Sequence, residues 1–489
     1  MSVKEQLFRF IEEKQIDIVC TGGMSIHFNE INAVLNSVKE LNPKIKTICG
    51  GSVITSDPQL AMNNMKIDIG VIGEGEKTVL ELAEALSSDR NVAEVKGIIY
   101  YDCHHNLVAT QEREPIMDLD SLPIPDYEGF EFDRLVKSNL PNTSWFYTIL
   151  DEVRPANIIS SRSCPYSCTF CYHPLGKKYR KRSLDNVFSE IDYLVKNYNI
   201  NFIFLMDELF SSNKERMYEF AKRIKAYNLK WATQLRVSDV DEDILRLLKG
   251  SGLCMISYGI ESLSDEILRS MRKGTTKSQI EKALQITRNE GITIQGNIII
   301  GDPNETEKTV TESLEWWREH KEYGINLGLV KAVPKSPVYE NALKSGLIKD
   351  KLQFLKDGFP IINLSKLSDR KFRRLSNLVN KYTVFEMYSI IGNVLFSKYE
   401  NLENGKRLYT IVAECPECHK ISKYKNMHQN KNKFSPLYQV ICRNCYVKFS
   451  ISSQASFTKN YTFIERVVLS CISIASKRDK ISRLLLGVS

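Results

Sequence analysis

The 489-residue sequence holds no apolar run approaching the ~18 residues that a membrane-spanning helix needs. Its opening, MSVKEQLFRFIEEK, mixes acids and bases throughout and so lacks the apolar stretch of a secretory leader. Short-period repeats and low-complexity tracts are missing as well. With 43% apolar and 26% charged residues, the composition excludes bulk disorder and a collagen-like chain. These absences lead to the expectation of a cytoplasmic protein of several domains, at roughly 100–200 residues per domain.

A cytoplasmic chain also lacks a disulfide framework, because its compartment keeps thiols reduced. The 12 cysteines must therefore serve otherwise. Cys164, Cys168 and Cys171 form one tight group, and Cys415, Cys418, Cys442 and Cys445 form another. Cys20, Cys49, Cys103, Cys254 and Cys471 are scattered, mostly in apolar runs where cysteine acts as a small hydrophobe. A basic surplus is missing from most of the chain. Residues 1–400 carry 52 Lys+Arg against 54 Asp+Glu, whereas 401–489 carry 15 against 5. That imbalance suits an acidic partner at the C-terminal region, or simply a solvated basic face.

Strand-like and helix-like segments alternate through residues 1–125: IDIVC, KTIC, IDIGVI and GIIYY are separated by helix-length stretches. This pattern predicts parallel βαβ construction, with Gly50-Gly51 and the Gly73–Glu76 turn following strand ends. Residues 126–155 read as a linker. Over 156–345 six strand-like runs recur, at 157–160, 201–206, 231–236, 253–260, 293–300 and 326–333, each followed by an amphipathic segment. Six βα units suit a partial barrel. Residues 346–410 read as helical, 411–450 as a small metal-bound module, and 451–489 as a basic helical tail.

The run NIIS passes directly into SSRSCPYSCTFCYHPLG, spacing Cys164, Cys168 and Cys171 as C-x-x-x-C-x-x-C. A loop after a barrel strand lies at the C-terminal mouth, where such folds place their chemistry. Thiolates bind iron–sulfur clusters, and a four-iron cluster ordinarily takes four cysteines, so three leave one iron open. A Cys3His zinc site using His173, or three unrelated thiols, are competing readings of the same residues.

With Phe170 as the aromatic before the last cysteine, the motif resembles that of the radical S-adenosylmethionine (SAM) superfamily, and the likeness extends over 156–345. The resemblance implies a [4Fe-4S] cluster on Cys164, Cys168 and Cys171 whose open iron holds the amine and carboxylate of SAM. It also implies reductive cleavage of SAM to a 5′-deoxyadenosyl radical, oxygen sensitivity, and an electron donor such as flavodoxin or ferredoxin. The strand ends carry polar groups suited to such a site. Asp207 and Glu208 match family positions near the SAM amine, and Arg236 stands where it would meet the carboxylate. Glu261 resembles the family's ribose-binding position. Gly301, Pro303, Glu305 and Thr306 resemble a G-x-P-x-E-T turn that lets backbone approach the adenine. Each alone would equally serve as a salt bridge or helix cap. Tyr166, Tyr172 and His173 are candidate substrate contacts.

Residues 1–125 resemble the cobalamin-binding domain of one branch of that superfamily, through DIVCTGGMS, the KTICGGSVITSDP stretch, DIGVIGEGEKTVLEL and the linker MDLDSLPIPDYE. That domain opens with a strand, a helix and a second strand that do not precede residues 3–20 here. The expectation is a truncated flavodoxin-like sheet whose remaining strands pair contiguously and whose strand 16–20 becomes an edge. The family's D-x-H-x-x-G cobalt-ligand motif is absent: Asp102-Cys103-His104 lies in a hairpin-like turn, with Leu107 at the glycine position. Both features count against cobalamin.

CPEC (415–418) and CRNC (442–445) resemble a zinc ribbon, with Cys415, Cys418, Cys442 and Cys445 closing a structural site. An auxiliary iron–sulfur cluster or a rubredoxin-like iron uses the same four thiols. His419 and His428 are expected to face solvent. The basic and aromatic residues around the knuckles, among them Lys420, Lys423, Tyr424, Arg443, Tyr446 and Lys448, outline a nucleic-acid surface or a solvated face.

The expected function is therefore radical modification of a C–H bond by methylation, cyclisation, rearrangement or oxidation. One alternative is an RNA-modifying radical SAM enzyme that grips phosphates through the basic ribbon. The other is a non-catalytic accessory partner of a full-length cobalamin radical SAM enzyme.

Overall fold

The computed structural model describes residues 2–88, 90–210, 213–385, 390–403, 406–429 and 437–452. The expected helical tail (beyond residue 452), Lys431, Lys433 and Cys471 lie outside the described residues. By packing, the chain forms two units. One comprises residues 1–117, 167–178 and 331–362; the other comprises 118–166, 179–330 and 363 onward.

In the first unit, β1 (Ile18–Gly22), β2 (Lys46–Gly50), β3 (Ile69–Val71), β4 (Ile98–Tyr101) and β5 (Leu107–Ala109) form a sheet in that order. Strands β1, β2 and β3 are parallel, as expected, and β1 stands at the sheet edge. Helix α1 (Val3–Lys14) begins with a capping box between Ser2 and Glu5 and packs Ile11 against Val38 of α2 (Phe28–Leu41). The short α3 (Ser52–Thr55), then α4 (Pro58–Asn64) and α5 (Glu76–Ser87), complete the crossovers. The parallel expectation fails at β4, which runs antiparallel to β3 and makes a hairpin with β5. After α5 a 3₁₀ turn at Val92–Glu94 intervenes before β4, and hydrophobic periodicity carries no information about strand direction.

The second unit is built on a six-stranded, all-parallel sheet. The segment before it holds α6 (Phe132–Lys137) and a 3₁₀ turn over Trp145–Ile149 whose Phe146 and Tyr147 side chains are buried, so the expected linker is largely packed structure. The strands are β6 (Pro155–Ile158), then, after the small hairpin β7 (Ser161–Arg162)/β8 (Arg180–Lys181), β9 (Phe202–Leu205), β10 (Lys230–Leu235), β11 (Leu253–Glu261), β12 (Thr293–Ile300) and β13 (Asn326–Leu329). Their spatial order is the chain order, β6-β9-β10-β11-β12-β13. Helices α7 (Leu184–Tyr198), α8 (Lys214–Lys225), α9 (Glu242–Gly250), α10 (Asp265–Ser270), α11 (Lys277–Asn289) and α12 (Glu307–Glu319) fill the crossovers. One sheet face takes their apolar stripes: Trp231 Nε1 donates to the Ser251 carbonyl at 3.2 Å, and the Tyr258 hydroxyl meets Thr287 Oγ1 at 2.9 Å. The six expected strands are all present at the expected places.

The chain returns to the first unit with α13 (Pro337–Lys344) and α14 (Lys351–Lys356), which Lys351–Asp57 (2.9 Å) and Asn29–Lys356 (2.7 Å) contacts tie to that unit's own helices. Helix α15 (Asp369–Phe385) ends the helical stretch. The helical expectation for 346–410 stops there, because β14 (Asn393–Glu403) and β15 (Lys406–Glu414) pair antiparallel, followed by β16 (Ile421–Gln429). The ribbon is completed by the β17 (Leu437–Ile441)/β18 (Lys448–Ser452) hairpin.

Candidate active site and metal centre

At the end of β6 the chain is anchored by Asp207, which follows β9. Its buried carboxylate accepts from Ser160 N at 2.6 Å, Ser160 Oγ at 2.6 Å and Ser161 N at 3.0 Å. Burial pushes its pKa up to about 6, opposed by those hydrogen bonds. These bonds serve the backbone that leads to Cys164 and not a ligand ammonium, so Asp207 is a positioning residue. Glu208, one residue on, is exposed. Cys164, Cys168 and Cys171 are half-buried and outside any disulfide. Cys168 and Cys171 share a turn in which Cys171 N donates to the Cys168 carbonyl at 3.2 Å. Phe170, Tyr172 and His173 are half-buried beside them.

The other strand ends meet in one buried polar group. The guanidinium of Arg236, just beyond β10, lies 3.6 Å from the centre of the Tyr166 ring and donates to the Lys273 carbonyl at 2.6 Å. Lys273 Nζ in turn meets Glu261 Oε1 at 2.9 Å. Glu261 closes β11 after a register shift and holds φ at 65°, a left-handed conformation that non-glycine residues adopt at a cost. Gly259 is required below this pair, since a Cβ there would lie 2.7 Å from Glu261 Oε1 and still closer to Lys273 Nζ. Arg236 Nε is buried without a hydrogen-bond partner among the described residues. Such an atom, beside a paired acid and base, fits a zwitterionic ligand. Lys273 was not legible beforehand, because it follows the short α10 and not a strand.

After β12, Gly301 takes φ 118° and its N–H is held by the Glu305 carboxylate, which also accepts from Asp302 N at 3.2 Å. Burial pushes Glu305 up to about 8. Thr306 caps α12, and Pro303 is half-buried in the turn. Glu305 and Thr306 thus shape the turn, in which Gly301 is buried against Phe372 and Val330.

The four ribbon thiols converge. Their sulfurs all lie within 4.8 Å of one another, with Cys415–Cys445 at 3.7 Å and Cys418–Cys442 at 3.6 Å. A tetrahedral ion with ~2.3 Å bonds to sulfur needs edges of about 3.8 Å. The set fits one mononuclear ion and is too tight for a four-iron cube. Glu417 N and Asn444 N point at Cys415 and Cys442 sulfurs at 3.5 and 3.4 Å, as backbone does around bound thiolates. The Cys415 and Cys445 thiols push Cys442 strongly down, while Cys445 is pushed up.

The ribbon's basic and aromatic residues are spent on docking it to the barrel sheet. Tyr424 is buried in the ribbon core, with Arg443 stacked over it. Arg443 also pairs with Asp151 at 2.9 Å. Tyr446 lies beneath Lys249 (3.0 Å from Nζ to the ring centre), with its hydroxyl 3.1 Å from Lys230 Nζ. Lys448 is buried, donating to the Gly324 carbonyl over the Trp145 ring. Asp151, Lys230 and Gly324 lie at or just before the starts of β6, β10 and β13, so the ribbon floors the end opposite the mouth. His428 bonds Asn142 and is half-buried rather than solvent-facing, whereas His419 is exposed beside Glu414. Among the described residues, the nucleic-acid surface expected there keeps Lys420, Lys423 and Lys425, which are exposed.

In the first unit, the loops after β1 and β2 touch backbone to backbone: Gly51 holds φ at 81°, and a Cβ on it would lie 2.7 Å from the Gly23 carbonyl oxygen. The Asp102–Asn106 turn is a surface turn in which Asp102 accepts from His104 N and Asn106 N, both at 2.8 Å.

Residues 158–316 match the model of the radical SAM superfamily, and residues 1–83 match that of the B12 binding domain. The chain carries a radical SAM domain behind a B12-binding domain. An uncharacterized methyltransferase of Pyrococcus horikoshii is 28% identical over 70% of this chain and 72% of its own length. An anaerobic magnesium-protoporphyrin IX monomethyl ester cyclase of Rubrivivax gelatinosus is 29% identical over 69% of this chain and 60% of its own. In fold, this radical SAM chain resembles the methyltransferase TsrM of Kitasatospora setae with cobalamin and a [4Fe-4S] cluster bound (TM-score 0.58, 19% identity, 71% of this chain and 70% of that one). These domains and relatives make it an enzyme of radical-mediated modification, which implies SAM, a [4Fe-4S] cluster and an electron donor. The expectation against cobalamin gives way, since residues 1–83 match the B12-binding model. Neither the RNA-modifying nor the accessory alternative gains support. Among the described residues no helix is long and apolar enough to cross a membrane.

Proposed function

We propose that this chain cleaves SAM reductively and uses the B12-binding domain to direct the reaction to methylation at an unactivated carbon. The observation that carries the first half is the three-cysteine loop together with the Tyr166–Arg236–Lys273–Glu261 group at the strand ends. Cys164, Cys168 and Cys171 would hold the cluster, which when bound supplies one electron to the sulfonium. Arg236 faces the SAM carboxylate, and the stacked Tyr166 keeps the guanidinium flat while its head group binds. Glu261 takes the ribose hydroxyls, with Lys273 holding its carboxylate in orientation. The Gly301–Pro303 turn, held by a φ of 118° that favours glycine at Gly301, offers backbone to the adenine. The ribbon ion is zinc, with a structural role, because four thiolates close the site and leave no open position.

The test is anaerobic reconstitution of the purified chain with iron, sulfide and cobalamin, followed by metal analysis and a dithionite-driven SAM assay. About four irons, about one zinc and bound cobalt per chain are expected, with 5′-deoxyadenosine or S-adenosylhomocysteine formed and lost in Cys168→Ala. An iron-loaded chain that leaves SAM intact would overturn the activity. SAM cleavage without cobalt binding would overturn the methylation.

A further inference from the structure

Parallel sheets covered on both faces are apolar on both. The barrel sheet breaks that rule on the face turned away from its helices. In register across it stand Gln234, Ser257 and Gln295, with Asn297 paired to Asn326 in the next layer and Asn157 exposed on the edge strand β6. That these face away from the helices follows from alternation, since Trp231 and Tyr258 point into α9 and α11. All six side chains are partly or fully exposed, and none has a side-chain hydrogen bond among the described residues. Asn326 Oδ1 is buried and has no partner among those residues. Below this layer the lumen is closed: Met255, Ala232 and Phe202 pack with Ile441 of the ribbon, and Thr293 Oγ1 donates to the Tyr446 carbonyl.

A ligand that displaces water from these exposed amide and hydroxyl side chains must replace the hydrogen bonds that water makes to them. A bare hydrocarbon would not. A carboxylate or phosphate would need a cation. Along β6 and β9–β13 the only charge on this face is Lys230, already at the floor against Tyr446, while Arg236 and Glu261 stand above at the mouth. Each amide offers donors and an acceptor together. We propose that the lumen recognises an uncharged part of the substrate rich in hydroxyl or amide groups, and rejects anionic or purely hydrocarbon groups at the same depth. This deepens the reading of the barrel as the site of SAM chemistry and rests on it.

The test uses the reconstituted full chain and saturation-transfer NMR with three probes: N-acetylglucosamine, N-acetylalanine methylamide and N-acetylglucosamine 6-phosphate, each at about 10 mM, the range in which fragments bind. At least one neutral probe is expected to receive saturation, with the signal falling about fivefold in Gln234→Leu/Gln295→Leu, the scale of one lost hydrogen bond. The neutral probe that responds tells hydroxyl from amide recognition. A response from neither, a response unchanged by the double substitution, or preference for the phosphorylated sugar would each overturn the proposal. Melting temperature and iron content of the variant, with Asn297→Leu as a second variant on an exposed side chain, separate lost recognition from lost fold. Substrate-free SAM cleavage by the same preparation separates this proposal from the activity: deoxyadenosine formed with neutral probes ignored sinks the lumen alone.

Discussion

Arg236 lies flat against Tyr166, with its guanidinium carbon 3.6 Å from the ring centre, and so joins the end of β10 to the residue between Cys164 and Cys168. Cation–π contacts of this kind contribute about 0.5–2 kcal/mol. Tyr166→Ala should therefore raise the KM for SAM several-fold while leaving cluster iron unchanged. Tyr166→Phe, which keeps the ring, should behave as wild type in the same deoxyadenosine assay.

Gly259→Ala pushes a methyl group into the Glu261–Lys273 pair. The atoms met are the ends of flexible side chains, so the melting temperature should change little. SAM binding, measured by equilibrium dialysis, should weaken about tenfold, since the pair moves from its ligand-facing position. A large loss of stability instead would mean that the pair serves the fold.

Two buried groups give opposite pH dependences. Glu305, pushed up to about 8 by burial, binds its proton more tightly folded than unfolded, so stability falls as pH rises from about 4.5 to about 8. Glu305→Gln should flatten the melting temperature over that window. Lys448 is pushed down to about 7 by burial, so the unfolded chain binds the proton better and stability rises from about pH 7 toward 10.5. Lys448→Met should abolish that rise. Thermal melts of the three proteins across pH 5–10 check both signs.

Removing the ribbon ion should loosen the barrel floor, because Ile441, Arg443 and Tyr446 flank or lie between the cysteines and contact the strand starts. A zinc chelator, or Cys418→Ser, should lower the melting temperature by several degrees and slow SAM cleavage only in proportion to protein unfolded. Loss of activity at full folding would mean that the ion is a redox-active iron and not zinc.

The sequence announced most of the barrel, because buried parallel strands read as apolar runs at even spacing, and LCMISYGI and TIQGNIII are such runs. Within TIQGNIII the two amides already broke the pattern, yet only the register with Gln234 and Asn326 gives them a common face. Lys273 and the docking role of Tyr446 stayed invisible because each acts through residues distant in the chain. Strand β14, NVLFSKYENLE, passed for helix: its large apolar residues Leu395, Phe396 and Tyr399 are exposed, so no one-sided alternation marks it. Asp207 stands just after β9, but its carboxylate closes a backbone turn at Ser160 and Ser161, and in sequence such a carboxylate looks like one that waits for a ligand.

The ribbon seated under β6, β10, β12 and β13 closes that end of the lumen, so a group bound inside reaches no deeper than Ile441 and Tyr446. The depth of that floor caps how much of a long substrate the sheet can hold, and the remainder stays beyond the strand ends that carry Arg236 and Glu261.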